Sequence, residues 1–433
     1  MIGLNNKLKK LDENNKHIKV SIVGAGLMGK GMVSQMMCVK GMKPSLVVSN
    51  KISDAVEAYT LAGISREDIV VAKTLSDINI AMERNKYVAT DVTEYGTKPN
   101  LIDVVVDATG VPNAGARIAM DAINNKKHIV MLNVEADVVV GPILNKMAKE
   151  AGVVYTGTAG DEPGAVKEIF DFAEATGFEV LAIGKGKNNP IDYEATPDCV
   201  KEKALKSKLK PLRLASFVDG TNTMVEMAAM ANATGFIPDV RGGYGPTTEV
   251  KDLPKVYSLK DQGGILNKYK IVDYAHGIAP GVFVVVTTIL PQVHHEMQFL
   301  KMGPGPNYVL YRPYHLTSLE TPISIAKAYL YNEPTIAPIY EKPVAEVITM
   351  AKKDLKAGER LDGIGEYTVL GSIDTYEMAK KENLVPIGLI NNNAVVKRDI
   401  KKGEFITYDM VELDTSTEIY KLRKKQELYG NPK

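Results

Sequence analysis

Apolar and polar positions set out an alternation of strands and helices over the first part of the chain. HIKVSIVGAGLMGKGMVSQMM carries a β-branched apolar run into glycines and then a helical period, which predicts strand, tight turn and helix in that order. PSLVVSN reads as strand, DAVEAYTLAGI as helix, NLIDVVVDATG as a strand ending in a turn, and PNAGARIAMDAINNKK as helix. KHIVMLNVEA and GVVYTGTAG read as strands on either side of the helix-like GPILNKMAKEA. This order predicts an α/β fold with a Rossmann doubly wound parallel sheet over residues 1–160, preceded by a polar N-terminal tail.

From Asp161 the pattern loosens. DEPGAVKEIFDFAEATG and DGTNTMVEMAAMANATG predict helices, EVLAIGKGKNN a strand running into a glycine turn, and Val282–Leu290 a buried strand. MGPGPNYVLYRPYHL is dense in Pro, Gly and Tyr and reads as a shaped loop, followed by a helix in SLETPISIAKAYLYNE. Residues 161–340 are thus expected to form a central α+β domain. Residues 341–433 read as a small all-β module with short strands and Gly turns. An internal echo aligns Asp354, Leu355 and Gly358-Glu359 with Asp399, Ile400 and Gly403-Glu404.

Composition narrows the function. A chain of 433 residues with 45% hydrophobic and 24% charged positions fits a globular protein of two or three domains. A net charge of +1 and the absence of Trp give no reason to expect nucleic acid or an anionic membrane as partner. Cys38 and Cys199 stand far apart with no CxxC, and the N-terminus has no apolar signal core, so a cytoplasmic location is expected.

Gly24-Ala25-Gly26-Leu27-Met28-Gly29 is a GxGxxG between a strand and a helix, where glycines let the backbone approach a pyrophosphate at the helix N-terminus. The end of the second strand carries Ser49-Asn50-Lys51 instead of the acid that would bind a ribose 2′-hydroxyl, which favours NADP(H). Asp54 lies close enough to leave NAD open. Ala108-Thr109-Gly110, expected to end the fourth strand, would meet the nicotinamide half.

Candidate chemistry gathers after the nucleotide domain. Lys185 and Lys187 flank Gly186, and two close cations depress each other's pKa, which suits proton transfer; they would equally hold a phosphate or carboxylate. Asp161 and Glu162 either begin a helix or take a substrate hydroxyl or metal. Asn222 and Glu226, one turn apart, either bind polar substrate groups or cap and solvate their helix. Arg312 and His315 supply an anion clamp and a proton carrier, with Asn188 in the turn after the lysines. His294-His295-Glu296 lacks the spacing of HExxH.

GAGLMG, VDATG, TAGDEPGA, GKGKNNP, DGTNTMVEMAAMANATG, PDVRGGYGP and YRPYHLTSLETP, in that order, resemble the homoserine-dehydrogenase-like family that includes deoxyxylulose-phosphate reductoisomerase-like enzymes. VVKRDIKKGEFITYDMV resembles the SAF module, a small β-clip domain. The resemblance implies a catalytic and dimer-forming central domain and NADPH-dependent reduction. It places Lys185, Lys187 and Asn188 at the substrate site, with Arg312 and His315 facing it. It implies a homodimer acting on a phosphorylated sugar or a hydroxy acid, most specifically the conversion of deoxyxylulose 5-phosphate to methylerythritol 4-phosphate in isoprenoid synthesis. A divalent cation, Mg²⁺ or Mn²⁺, is a possible helper, with Asp161, Glu162 and Glu226 as candidate ligands. The alternatives are a homoserine or related hydroxy-acid dehydrogenase and, outside enzymes, an NADP(H) sensor with a carbohydrate-binding SAF module.

Overall fold

The computed structural model describes residues 3–429 and divides them into two compact units, neither continuous in sequence. Residues 3–161, 316–337 and 417–429 form the first, and residues 162–315 and 338–416 the second. The expected order of three consecutive domains is therefore interleaved, because the helix Thr321–Tyr331 and the C-terminal helix Glu418–Tyr429 pack on elements of the first unit. The last segment of the supposed all-β module is thus helical.

The first unit is built on seven parallel strands: β1 (Ile18–Val23), β2 (Met42–Val48), β3 (Ile69–Val71), β4 (Tyr87–Thr90), β5 (Val104–Asp107), β6 (His128–Met131) and β7 (Tyr155–Gly157). Their order is β3-β4-β2-β1-β5-β6-β7, which reverses direction between β1 and β5. Central strands buried on both faces read as continuous apolar runs, as in IKVSIV and MKPSLVV. Pro44, unusual in such a strand, sits opposite Val20 where the β1–β2 register shifts, and β2 pairs with β4 only from Leu46 onward.

Four local expectations change. β3 and β4 fall where the pattern predicted no element, since strands of three and four residues are too short to show a period. Ala108-Thr109-Gly110 therefore follows the fifth strand. The polar N-terminal tail contains a helix, Leu4–Glu13, with Leu4 and Leu8 buried. The segment NVEA belongs to a helix, Val134–Ala151, capped by the Asn133 side chain.

That helix contains Pro142, which has no N–H and crowds the carbonyl one turn back. The Gln426 carboxamide lies beside it: Oε1 accepts from the Ile143 N–H at 3.0 Å and Nε2 donates to the Val139 carbonyl at 3.1 Å. An uninterrupted helix joins those two groups to each other. Arg423 also donates to the Val139 carbonyl, at 3.4 Å.

The second unit centres on a five-stranded sheet of order β12-β11-β8-β10-β9, from β8 (Glu179–Lys187), β9 (Ile237–Pro238), β10 (Ile271–His276), β11 (Val282–Thr287) and β12 (Asn307–Arg312). β8 is the middle strand, parallel to β10 and antiparallel to β11. The supposed loop MGPGPNYVLYRPYHL thus contains a strand, β12, whose six residues all pair with β11. Helices Glu162–Ala175 and Thr221–Thr234 pack on the sheet; the second is buried almost all round, as its run of Met, Ala and Val requires.

Residues 338–416 add two small antiparallel pairs, β13 (Ala345–Ala351) with β14 (Val369–Thr375) and β15 (Val395–Val396) with β16 (Val411–Glu412). The sequence echo appears here as reciprocal pairing. Leu355 and Ile400 exchange backbone hydrogen bonds of 2.8 and 3.0 Å. Asp354 accepts from the Lys402 N–H at 2.9 Å, and Asp399 from the Ala357 N–H at 3.0 Å.

Gln426→Ala is expected to lower stability by about 1–3 kcal/mol, because it leaves the Ile143 N–H buried without its side-chain acceptor. Thermal unfolding checks this; an unchanged melting temperature would mean that the helix closes by itself across Pro142.

Candidate active site

The nucleotide loop is shaped by backbone contact. Gly24 has φ +112°, and a Cβ there would lie 2.6 Å from the Ala108 carbonyl oxygen. A Cβ on Gly29 would lie 2.0 Å from the Gly24 carbonyl oxygen. Gly26 differs: nothing lies within 4 Å of its absent side chain, and it caps the helix Leu27–Met37. Two glycines thus let β1, β5 and the helix meet closely, and the third leaves open space in front of helix N–H groups that lack intrahelical partners. Leu27 and Met28 are exposed at this end.

Ala108-Thr109-Gly110 is held by a buried network. Asp107 accepts from the Thr109 N–H (2.9 Å) and hydroxyl (2.7 Å) and from Asn133 Nδ2 (2.9 Å), while Asn133 also donates to the Val111 carbonyl at 3.0 Å. Burial pushes the Asp107 carboxyl up to about 6 despite those hydrogen bonds. The GxGxxG loop and this loop follow β1 and β5, the two strands at which the sheet order reverses, where open α/β sheets bind ligands. Asn50 and Lys51 are exposed just past β2, with Ser49 between strand and turn. Asp54 is engaged by Lys30 at 3.2 Å, and Glu57 by the same ammonium at 2.7 Å. These residues fit a dinucleotide: an open glycine at a helix N-terminus for the pyrophosphate, and the Lys51 cation beyond β2, with Asp54 held by Lys30.

In the second unit, Lys185 and Lys187 occupy one face of β8, and Gly184 and Gly186 the other. Both glycines are required there: a Cβ on Gly184 would lie 2.2 Å from the Asp273 carbonyl oxygen, and one on Gly186 2.5 Å from the Ala279 backbone nitrogen. The alternation GKGK therefore brings neighbouring backbone close on one side and presents two ammonium groups on the other, from a rigid central strand.

Lys185 is buried between two carboxylates. Its Nζ donates to Glu162 Oε1 at 2.8 Å and to Glu226 Oε2, and Asn222 Nδ2 donates to Glu226 Oε1 at 2.6 Å. His315 Nε2 lies 3.3 Å from Glu162 Oε1. Burial works against the Lys185 charge, but Glu162 and Glu226 outweigh it and hold the ammonium above its usual range. One ammonium does not satisfy both acids: burial and the Glu162 charge push Glu226 up to about 8. Lys187 donates to the Phe217 carbonyl at 2.9 Å, and burial together with the Lys185 charge lowers it to about 8. The expected mutual depression of the two lysines is therefore seen at Lys187 and reversed at Lys185, where the carboxylates decide.

Two other expected residues stand on the same sheet or just past it. Asn188 is exposed beyond the end of β8. Arg312 bonds Glu168 at 3.1 Å and stacks over Tyr314 at 4.5 Å, and it pairs with Val282, which also pairs with Lys185, so the two stand in one row across the sheet. His276, which the sequence analysis did not single out, pairs with Lys187 across the sheet, and burial, then the Lys187 charge, lowers its pKa. Only the β10–β8 register makes it a neighbour.

A carboxyl whose folded pKa is raised holds a proton that the unfolded chain has released, so Glu226 costs stability as pH rises from its ordinary 4.5 through about 8. Glu226→Gln is expected to flatten the fall in melting temperature across that window. Parallel melting curves for the two proteins would show Glu226 ionised throughout.

Residues 24–156 match the family model "homoserine dehydrogenase, NAD binding domain", and residues 160–321 match "oxidoreductase DRL, catalytic domain". No curated protein sequence matches the chain significantly. Similar solved structures include a probable dehydrogenase from Thermotoga maritima, at 12% identity and TM-score 0.42, covering 74% of this chain and 90% of that one. Apo scyllo-inositol dehydrogenase from Lactobacillus casei has 13% identity, TM-score 0.41 and coverage of 74% and 90%. At these scores the likeness bears on neither substrate nor mechanism. The two family models cover the dinucleotide loop and the lysine–carboxylate cluster respectively, and the chain is an NAD(P)-dependent oxidoreductase of the dehydrogenase type.

Proposed function

We propose that this oxidoreductase interconverts a carbonyl and a CH–OH group on a small polyol or sugar phosphate with NADP(H), and that its most specific form is the rearrangement and reduction of deoxyxylulose 5-phosphate to methylerythritol 4-phosphate. The observation that carries the reading is the pair of lysines on one face of β8 with opposite electrostatics. Lys185 is locked as a cation by Glu162 and Glu226, and Lys187 is lowered to about 8, within reach of neutral-pH proton transfer.

When bound, the nicotinamide supplies or accepts the hydride. Gly24, Gly26 and Gly29 with the helix N-terminus after them would hold the pyrophosphate, and Lys51 with Ser49 and Asn50 the 2′-phosphate. Asp54, engaged by Lys30, offers less repulsion to that phosphate. In reduction, Lys187 gives its proton to the substrate oxygen; in oxidation it takes the hydroxyl proton. Lys185 opposes the negative charge that develops on that oxygen, and its fixed position needs no reorganisation at that moment. The Lys185 ammonium already lies with both Glu162 and Glu226, so a divalent cation held by these two acids would have to displace it. Lys185 is the fixed positive charge available to the rearrangement, and Asp161, Glu162 and His315 are the residues that could hold a divalent cation.

Loss of NADPH absorbance with deoxyxylulose 5-phosphate, measured with and without Mg²⁺ or Mn²⁺ and with product identification, tests the reading. Homoserine with NADP⁺ is the opposing arm, favoured by the match of residues 24–156. Turnover with homoserine alone would replace the sugar-phosphate assignment. Lys187→Ala is expected to lower kcat by about 10²- to 10⁴-fold with NADPH binding retained. With Lys187 as acid, the reduction rate falls as pH rises through about 8, and the oxidation rate falls as pH drops below it. Lys51→Glu should shift preference from NADPH toward NADH; an unchanged ratio would remove Lys51 from the 2′-phosphate site.

A further inference from the structure

We infer that Lys352, far from β8 in sequence, is a positioning residue for Lys187: by pairing with Asp219 it neutralises the buried carboxylate two residues beyond the carbonyl that holds Lys187. The inference rests on the reading of Lys187 as the proton-transfer group.

Lys352 and Asp219 lie 2.7 Å apart, with side chains only 2% and 0% exposed. The ammonium donates to the Ala195 carbonyl at 2.8 Å and the Glu366 carbonyl at 2.9 Å, which fix it beside Asp219. A buried ion pair adds little net stability over apolar packing. Its location is more telling. Asp219 ends the helix Pro211–Val218, whose Phe217 carbonyl accepts from Lys187 at 2.9 Å. Asp219 Oδ1 also accepts from the Thr221 N–H at 2.8 Å, at the start of the helix that carries Asn222 and Glu226. Thr221 Oγ1 in turn accepts from the Gly371 N–H at 2.9 Å. Residues 352 and 371 thus anchor the turn between the Lys187 acceptor and the Glu226 helix.

The charged and titratable groups that act on Lys187 are Lys185 on its own strand, Glu226, Asp219 and Glu162 from the helices and turn, and His276 from the adjacent strand. Asp219 is paired with a lysine from outside this set. Without Lys352 its bare charge favours the Lys187 ammonium; without Asp219, the bare Lys352 charge disfavours it.

The test is a charge cycle read on full-length protein labelled with ¹³Cε-lysine, the Lys187 resonance being assigned by its loss in Lys187→Arg. Lys352→Met should raise the Lys187 midpoint by about one pH unit, and Asp219→Asn should lower it by a similar amount. The double variant K352M/D219N should return it close to the unmodified value. If Lys352→Met fails to fold because of its unpaired acid, Asp219→Asn and the double variant still decide. Midpoints that coincide in all foldable variants, or single variants that move in the same direction, overturn the inference. The kcat–pH profile is measured alongside. If NMR midpoints shift as expected while the kcat limb stays fixed, the positioning role stands and the assignment of Lys187 as proton carrier falls.

Discussion

One ammonium shared by two buried carboxylates organises the second unit. Lys185 on the central strand draws Glu162 from one helix and Glu226 from another to the same point, so three elements converge on one group. Such a cluster cannot lose a member cheaply, because each remaining charge would be buried without its partner. It is also not electrically balanced. Burial, and then the excess of acid over base, pushes Glu226 toward its protonated form, with Asn222 holding its second oxygen. Beside this fixed charge, Lys187 donates to a backbone carbonyl, and burial with the Lys185 charge lowers it to about 8. In the proposed reaction Lys185 is the charge that stays and Lys187 carries the proton that moves, as carbonyl reduction asks of a protein.

The first unit solves a different problem with almost no charge. Its nucleotide loop depends on Gly24 and Gly29, where any side chain would strike backbone, and on a buried Asp107–Asn133 network that fixes the neighbouring loop. Open space at Gly26 and the free end of a helix remain for a ligand. Precision here comes from backbone packing. In the second unit it comes from paired ions, although the glycines of GKGK show backbone packing supporting charged chemistry there as well.

Residues 338–416 join the two ideas. Their reciprocal repeat is held by Asp354 and Asp399 capping each other's turns, a device of exposed polar groups. From the same segment Lys352 and the Gly371 N–H reach the turn before the Glu226 helix. A module with no expected catalytic residue thereby touches the scaffold of the cluster.

Local periodicity made much of this protein legible. The alternation of strands and helices, the GxGxxG between β1 and its helix, the helix carrying Asn222 and Glu226, and the repeat around Asp354 and Asp399 all depend on residues close in sequence, so composition and spacing alone determined them. The short strands β3 and β4 left no period, and β12 was masked by its Pro- and Gly-rich surroundings. Interactions between distant residues were decided only by the tertiary structure: the Gln426 amide beside Pro142, His276 opposite Lys187, and Lys352 on Asp219. So was the sign of the Lys185 shift. Two neighbouring lysines in a sequence predict mutual depression, but a buried charge answers to whichever groups the fold brings into contact with it, and here those were two carboxylates from separate helices.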